Sequence, residues 1–356
     1  MAPFLRRLWV AMLTRDEEDA GTDSQIALTV KEDGADRLYH LFADTPQNDQ
    51  ERGQPNLYEV PEELVLSAKI SPERFVVAGV DIRGDDAWQP EVVFVWGERL
   101  EDGAIIPLAL NLKRDFTPEN QRVTLSTDPD EGSPGIPLQS VRLGTQQTRI
   151  ESLLLAINTS SAEDSGTDDR LELRVLPQGL PLLTQKVPFP PDTPQEDLET
   201  GLPNLYEARV GIPGPFFPAF TRAQLLPNSI SLAIEGDDAW VPSSFFMFGL
   251  DSHSFANRPV REVVPLVHLP VWNLAPLSTD HNEGRSEVVL PLVPLLPLRP
   301  PVPPPVISEV PSTVLSEDGR GAGFIPAPLA WLVALSIPAG AGSNLRTNSV
   351  GATEDP

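Results

Sequence analysis

Gly84-Asp85-Asp86-Ala87-Trp88-Gln89-Pro90 returns later in the chain as Gly236-Asp237-Asp238-Ala239-Trp240-Val241-Pro242. Gly and Asp are turn formers, and each block runs into an apolar stretch, Val92-Val93-Phe94-Val95 in one and Phe245-Phe246-Met247-Phe248 in the other. Three further blocks repeat in the same order. Glu18-Asp19-Ala20-Gly21-Thr22-Asp23 returns as Glu163-Asp164-Ser165-Gly166-Thr167-Asp168. Pro55-Asn56-Leu57-Tyr58-Glu59 returns as Pro203-Asn204-Leu205-Tyr206-Glu207, and Leu125-Ser126-Thr127-Asp128 as Leu277-Ser278-Thr279-Asp280. The spacing grows along the chain, from 145 residues (Gly21 to Gly166) through 148 (Asn56 to Asn204) to 152 (Trp88 to Trp240). Loops absorb insertions and packed strands do not, so the blocks are the framework and the segments between them vary.

Between the blocks lie short runs rich in Val, Ile, Leu and aromatics, separated by Asp, Gly and Pro clusters. In the first copy they are Leu8 to Thr14, Gln25 to Val30, Leu38 to Phe42, Val76 to Ile82, Val92 to Trp96 and Ile105 to Leu112. In the second they are Leu153 to Ile157, Leu171 to Leu176, Ile230 to Ile234, Phe245 to Phe248 and Val263 to Leu269. Gln25 to Val30 and Arg170 to Val175 alternate polar and apolar, the pattern of a strand with one face on a core and one in water. The 40 prolines disfavour a helical reading, because proline removes a helix hydrogen bond and clashes with the preceding turn. The expectation is an all-β protein of two tandem antiparallel β-sandwich domains, residues 1–144 and 145–293, followed by a proline-rich C-terminal linker and low-complexity tail, residues 294–356.

A net charge of −25 argues against nucleic acid as a partner, which requires a basic surface. Without cysteine, disulfides, thiol catalysis and iron–sulfur clusters are excluded. The apolar run Leu8 to Leu13 stops at Thr14-Arg15-Asp16, too soon for a secretory signal, and no stretch reaches the ~20 apolar residues of a membrane helix. These features read as a cytoplasmic protein without a transmembrane segment, with release by a signal-independent route left open.

Taken together, the blocks resemble the PLAT domain, also called the lipoxygenase-homology or LH2 domain, over residues 8–143 and 149–292. Thr14 to Val30 looks like the family's opening strand, acidic turn and second strand. Asp85-Asp86-Ala87-Trp88 with Val92 to Val95 resembles its tryptophan turn and strand, and Thr124 to Asp128 with Asp130-Glu131-Gly132 its closing strand and acidic turn. The second copy departs at Thr200, which stands where Arg52 does, at Leu202 for Gln54, and in the Pro- and Phe-rich Gly211 to Phe220. The resemblance implies an eight-stranded antiparallel sandwich that binds protein or lipid, in some members with calcium.

It also implies calcium ligands. Asp19, Gly21 and Asp23 in one loop would face Asp85 and Asp86 in another, with Asp49 nearby; Asp164, Gly166, Asp168, Asp197, Asp237 and Asp238 are the counterparts. The alternative is that these Asp and Gly residues only build turns, which need no metal. Trp88, Trp240, Tyr58 and Tyr206, at matched positions, read as buried anchors; Trp9 and Trp96 carry no signal. His40, His253, His268 and His281 fall in no ligand spacing, and the chain has no Gly-x-Ser-x-Gly elbow and no Gly-Lys pair of a phosphate loop. The function that follows is a non-enzymatic recognition module for a protein partner or lipid surface. Two alternatives stand beside it: a structural subunit that self-assembles through its C-terminal tail, and a glycan- or membrane-surface-binding module.

Overall fold

The computed structural model describes residues 3–42, 50–74, 76–113, 115–116, 123–179, 185–189, 198–209, 219–236, 238–251 and 261–294. They belong to one compact unit, Met1–Leu298; the second unit, Arg299–Pro356, and with it nearly all of the proline-rich tail, lies outside the described residues.

The chain is mostly β. The first copy supplies β1 (Leu5–Thr14), β2 (Gln25–Glu32), β3 (Ala35–Leu41), β4 (Pro55–Val60), helix α1 (Glu62–Ala68), β5 (Val76–Arg83), β6 (Pro90–Arg99), β7 (Ile105–Asn111) and β8 (Gly135–Pro137). Two short strands follow, β9 (Arg142–Leu143) and β10 (Arg149–Ile150). The second copy supplies β11 (Ser152–Thr159), β12 (Arg170–Val175), β13 (Gln185–Phe189), β14 (Pro203–Arg209), β15 (Phe220–Thr221), β16 (Ile230–Glu235), β17 (Ala239–Trp240), β18 (Pro242–Asp251), β19 (Glu262–Leu269), β20 (Leu277–Ser278) and β21 (Glu287–Val289).

Each copy stacks two sheets. In the first, β4-β1-β6-β7 lies against β3-β2-β5-β8; in the second, β14-β11-β18-β19-β9 lies against β13-β12-β16-β21. Between the first pair sit Leu8, Val10, Met12, Ile26, Leu28, Val80, Val93, Val95 and Trp88. Between the second pair sit their counterparts Leu153, Leu155, Ile157, Leu171, Leu173, Leu232, Phe245, Met247 and Trp240. Pro55 and Pro203 open β4 and β14, both edge strands, where a missing N–H costs no ladder bond.

A third apolar layer joins the two copies. Side chains alternate across a strand, so while Leu8, Val10 and Met12 face their own core, Trp9 and Ala11 face the other copy, as do Phe94 and Trp96 of β6. They meet Leu154 and Ala156 of β11 and Phe246, Phe248 and Leu250 of β18. Antiparallel sheets usually leave one face wet. Here both inner sheets are buried on both faces, giving four layers in sequence. The ring contacts obey a local two-fold: Phe94 meets Phe248 at 4.7 Å, and Trp96 meets Phe246 at 5.2 Å, each pair turning into the other when the copies are exchanged.

The connection between the copies fixes their relative direction. Ser140 pairs antiparallel with Ala109 of β7, whereas Arg142 and Leu143 pair in parallel with Glu262 and Val263 of β19. One short segment thus closes the edge of each inner sheet, and β7 and β19 run in opposite directions. Since β1 runs with β7, and β11 with β19, the turns that follow β1 and β11 sit at opposite ends of this unit. An interface this apolar holds the copies as one body; each fully buried large apolar side chain contributes about 1.5–3 kcal/mol.

Candidate functional site

The four repeated blocks converge at one end of each sandwich, and one set of hydrogen bonds ties them together in both copies. Trp88 is fully buried and its indole N–H donates to Thr14 Oγ1 (2.9 Å); Trp240 donates to Thr159 Oγ1 (3.2 Å). Trp88 also exchanges backbone bonds with Leu125, and Trp240 pairs with Leu277. The tryptophan therefore pins the end of the opening strand to the closing block.

The closing block is a self-contained turn. Ser126 Oγ accepts the Asp128 amide (3.0 Å) and donates to Glu131 Oε2 (3.0 Å), while the Asp128 carboxylate accepts the Asp130 amide (2.9 Å). Ser278, Asp280, Glu283 and Asn282 repeat it at 3.1, 3.3 and 2.8 Å. Thr127 and Thr279 reach across to the carbonyls of Gly84 and Gly236, whose φ of 143° and 148° is a conformation few other residues adopt. Gly21 and Gly166 pack tightly against the neighbouring turns at residues 50–52 and 198–200, where an added Cβ would lie 3.1 Å and 2.8 Å from backbone nitrogen.

The structure brings Asp23 beside Asp86. The Asp23 amide donates to Asp86 Oδ2 (3.0 Å), the Ala87 amide donates to Asp86 Oδ1 (2.9 Å), and Ser24 Oγ accepts the Asp86 amide (3.1 Å). The Asp86 carboxylate is thus a turn-builder. In the second copy Asp169 takes the place of Ser24 and accepts the Asp238 amide (2.6 Å), and Asp238 Oδ1 accepts from Ala239 (2.9 Å). The side chains of Asp19, Asp23, Asp85, Asp164 and Asp168 are exposed and, among the described residues, make no hydrogen bond or ion pair. Asp19 and Asp164 share a left-handed backbone, φ 57° in each. Asp49, Asp197 and Asp237 lie outside the described residues. Among the described residues, no group of three or more His, Cys, Asp or Glu side chains is gathered closely enough to hold a metal ion.

Tyr206 is buried and donates to Asn204 Oδ1 (2.8 Å), whereas Tyr58 is only half-buried, its hydroxyl 2.6 Å from Gln50 Nε2 and its ring stacked on Phe42. Trp9 and Trp96 lie in the layer between the copies, together with His268, whose ring stands edge-on to Trp9 at 4.8 Å. Their sequence signal was the run itself: Leu8 to Leu13 and Phe245 to Leu250 are continuously apolar, the mark of a strand buried on both faces.

No family model matches the sequence, and no curated protein matches it. Among solved structures the chain is similar to alpha toxin from Clostridium absonum, at 21% identity and a TM-score of 0.23 over 30% of this chain. The matched part spans 32% of the toxin chain, about a third of its length. Among the described residues no helix is long and apolar enough to cross a membrane.

Proposed function

We propose that this chain is a non-enzymatic recognition module of the PLAT type, holding a protein partner or a lipid surface with the turn-bearing ends of its sandwiches. The observation that carries this reading is the contrast within each end. The turn framework is the same in both copies, down to the Trp–Thr and Ser–Asp–Glu hydrogen bonds. The carboxylates of Asp19, Asp23, Asp85, Asp164 and Asp168 project from it with their hydrogen-bonding capacity unspent. A scaffold built twice and a rim left free is how binding loops are carried on rigid sheets. Because the two ends point in opposite directions, the chain can engage two partners at once.

Calcium enters as the ion that the exposed carboxylates of Asp19, Asp23 and Asp85, not gathered around a site among the described residues, would close on when it binds, because it takes oxygen ligands and tolerates irregular geometry. Calorimetric titration of calcium into the wild type and Asp23→Asn tests this. The reading predicts heat and a raised melting temperature for the wild type and a weakened response for the variant; no heat and no thermal shift in the wild type would remove calcium from the account.

A further inference from the structure

The outer sheet of the first copy, β3-β2-β5-β8, presents an outward face on which Gln25, Tyr39 and Arg83 are exposed and Thr29 and Asp81 half-buried, while Ala27 and Gly79 at its centre are buried. Its register sets Thr29 beside Tyr39 on one side and Gly79 on the other, with Ala27 beside Asp81, Asp81 beside Gly135, and Gln25 beside Arg83. The centre of the face is therefore made of Ala27, Gly79 and Gly135. A Cβ at Gly79 would lie 2.9 Å from Thr29 Oγ1, and one at Gly135 would collide with the Asp81 carboxylate, so both polar side chains lie low across the sheet. Tyr39 is 43% exposed, and the Arg83 guanidinium lies over its ring, 4.7 Å from the centroid.

None of these polar groups is spent. Among the described residues the side chains of Thr29, Asp81 and Tyr39 make no hydrogen bond or ion pair, and Arg83 makes none either, its guanidinium lying over the Tyr39 ring. Asp81 is half-buried, and desolvation lifts its carboxyl above the usual carboxylate range against the pull of Lys31 and Arg83. A half-buried acceptor without a donor is costly to keep.

The second copy shows the same positions closed off. Glu172, Arg174, Ser231 and Glu287 replace Ala27, Thr29, Gly79 and Gly135. Arg174 donates to Glu172 (2.7 Å) and to Glu287 (2.8 Å), and Ser231 donates to Glu287 (2.6 Å). One copy has filled and satisfied this face; the other has kept it flat, polar and unsatisfied, with an aromatic ring at its edge.

We propose that this face of the first copy binds a carbohydrate, stacking a sugar ring against Tyr39 and taking its hydroxyls with Asp81, Arg83 and Thr29. A carboxylate accepts two hydroxyl protons, a guanidinium donates to ring and hydroxyl oxygens, and a tyrosine offers both an apolar surface and a hydroxyl. A flat site on a sheet face suits an extended saccharide. This site is separate from the turn ends and does not rest on them.

Affinity electrophoresis in gels cast with soluble β-glucan, xylan or starch, together with an array of neutral oligosaccharides, tests the proposal on the full chain. The wild type should be retained by at least one neutral polysaccharide, and Tyr39→Ala and Asp81→Asn should each weaken retention about tenfold or more with the melting temperature unchanged. Glu287→Gln, in the closed counterpart face, and Asp23→Asn, at the turn end, should leave it intact. The proposal is overturned if the wild type is retained by no sugar, or if retention survives both Tyr39→Ala and Asp81→Asn.

Discussion

Arg261, the residue before β19, clamps Asp115 of the first copy with both guanidinium nitrogens, at 2.5 and 2.6 Å, and both side chains are more than nine-tenths buried. The same arginine donates to the Leu110 carbonyl (3.4 Å), and Asp115 accepts the Leu112 amide (2.7 Å). This is the polar fastening at the edge of an otherwise apolar interface. Removing one partner leaves the other charged and dry, so Arg261→Met or Asp115→Leu alone should cost about 3–5 kcal/mol in urea unfolding. The double replacement should cost clearly less than the sum, giving a large coupling energy in a double-mutant cycle.

The six tryptophans separate by environment. Trp88 donates to Thr14 inside the first sandwich, whereas the buried Trp96 N–H, in the layer between the copies, has no acceptor among the described residues. Trp88→Phe abandons a buried hydroxyl and should destabilise by about 1–3 kcal/mol beyond the change in packing. Trp96→Phe abandons nothing polar and should be the milder change of the two; equal costs in chemical denaturation would contradict this placement.

His268 supplies a pH signature. Burial, and secondly the nearby Arg7 guanidinium, lower its pKa to about 3 from 6.5. The folded state therefore keeps it neutral while the unfolded chain takes up a proton below pH 6.5. Its contribution to stability is fully present above that pH and declines as pH falls towards 3, by on the order of 1.4 kcal/mol per pH unit. Denaturation curves between pH 7 and 4 should fall more steeply for the wild type than for His268→Phe, which keeps an aromatic ring between Trp9 and Phe246.

Because the closing turn is built identically twice, Ser126→Ala and Ser278→Ala should behave as a matched pair. Each removes the acceptor for an Asp amide and the donor to a Glu carboxylate, both fully buried serines. A cost of about 1–2 kcal/mol is expected for each in thermal melts, and the two should agree within about 0.5 kcal/mol.

The blocks were legible because their residues answer to local needs. Gly84 and Gly236 hold a backbone other residues avoid, Ser126 and Asp128 close their own turn, and Trp88 reaches the threonine that ends its own copy's opening strand. Strand runs followed from composition alone, and β1, β2, β5, β6 and β7 contain the runs read from it nearly end to end. What escaped depends on long-range contact. The second buried face of β1 exists only because Phe246 and His268 arrive from more than 200 residues away, so Trp9 looked like an ordinary aromatic. Helix α1 is short and packs onto β1 through Val65, with no periodic signal long enough to announce it. The acidic turns showed their residues but not their division of labour: Asp86 serves the backbone while Asp19, Asp23 and Asp85 do not.

Affinity capture on the full chain, in calcium and again in chelator, tests the recognition reading most directly when run beside the double variant Asp23→Asn/Asp168→Asn. The account predicts a component of the native extract or an added vesicle that the wild type retains and the double variant releases, while both proteins melt at the same temperature. Capture that is identical for the two proteins, or no capture by the wild type in either buffer, would contradict it.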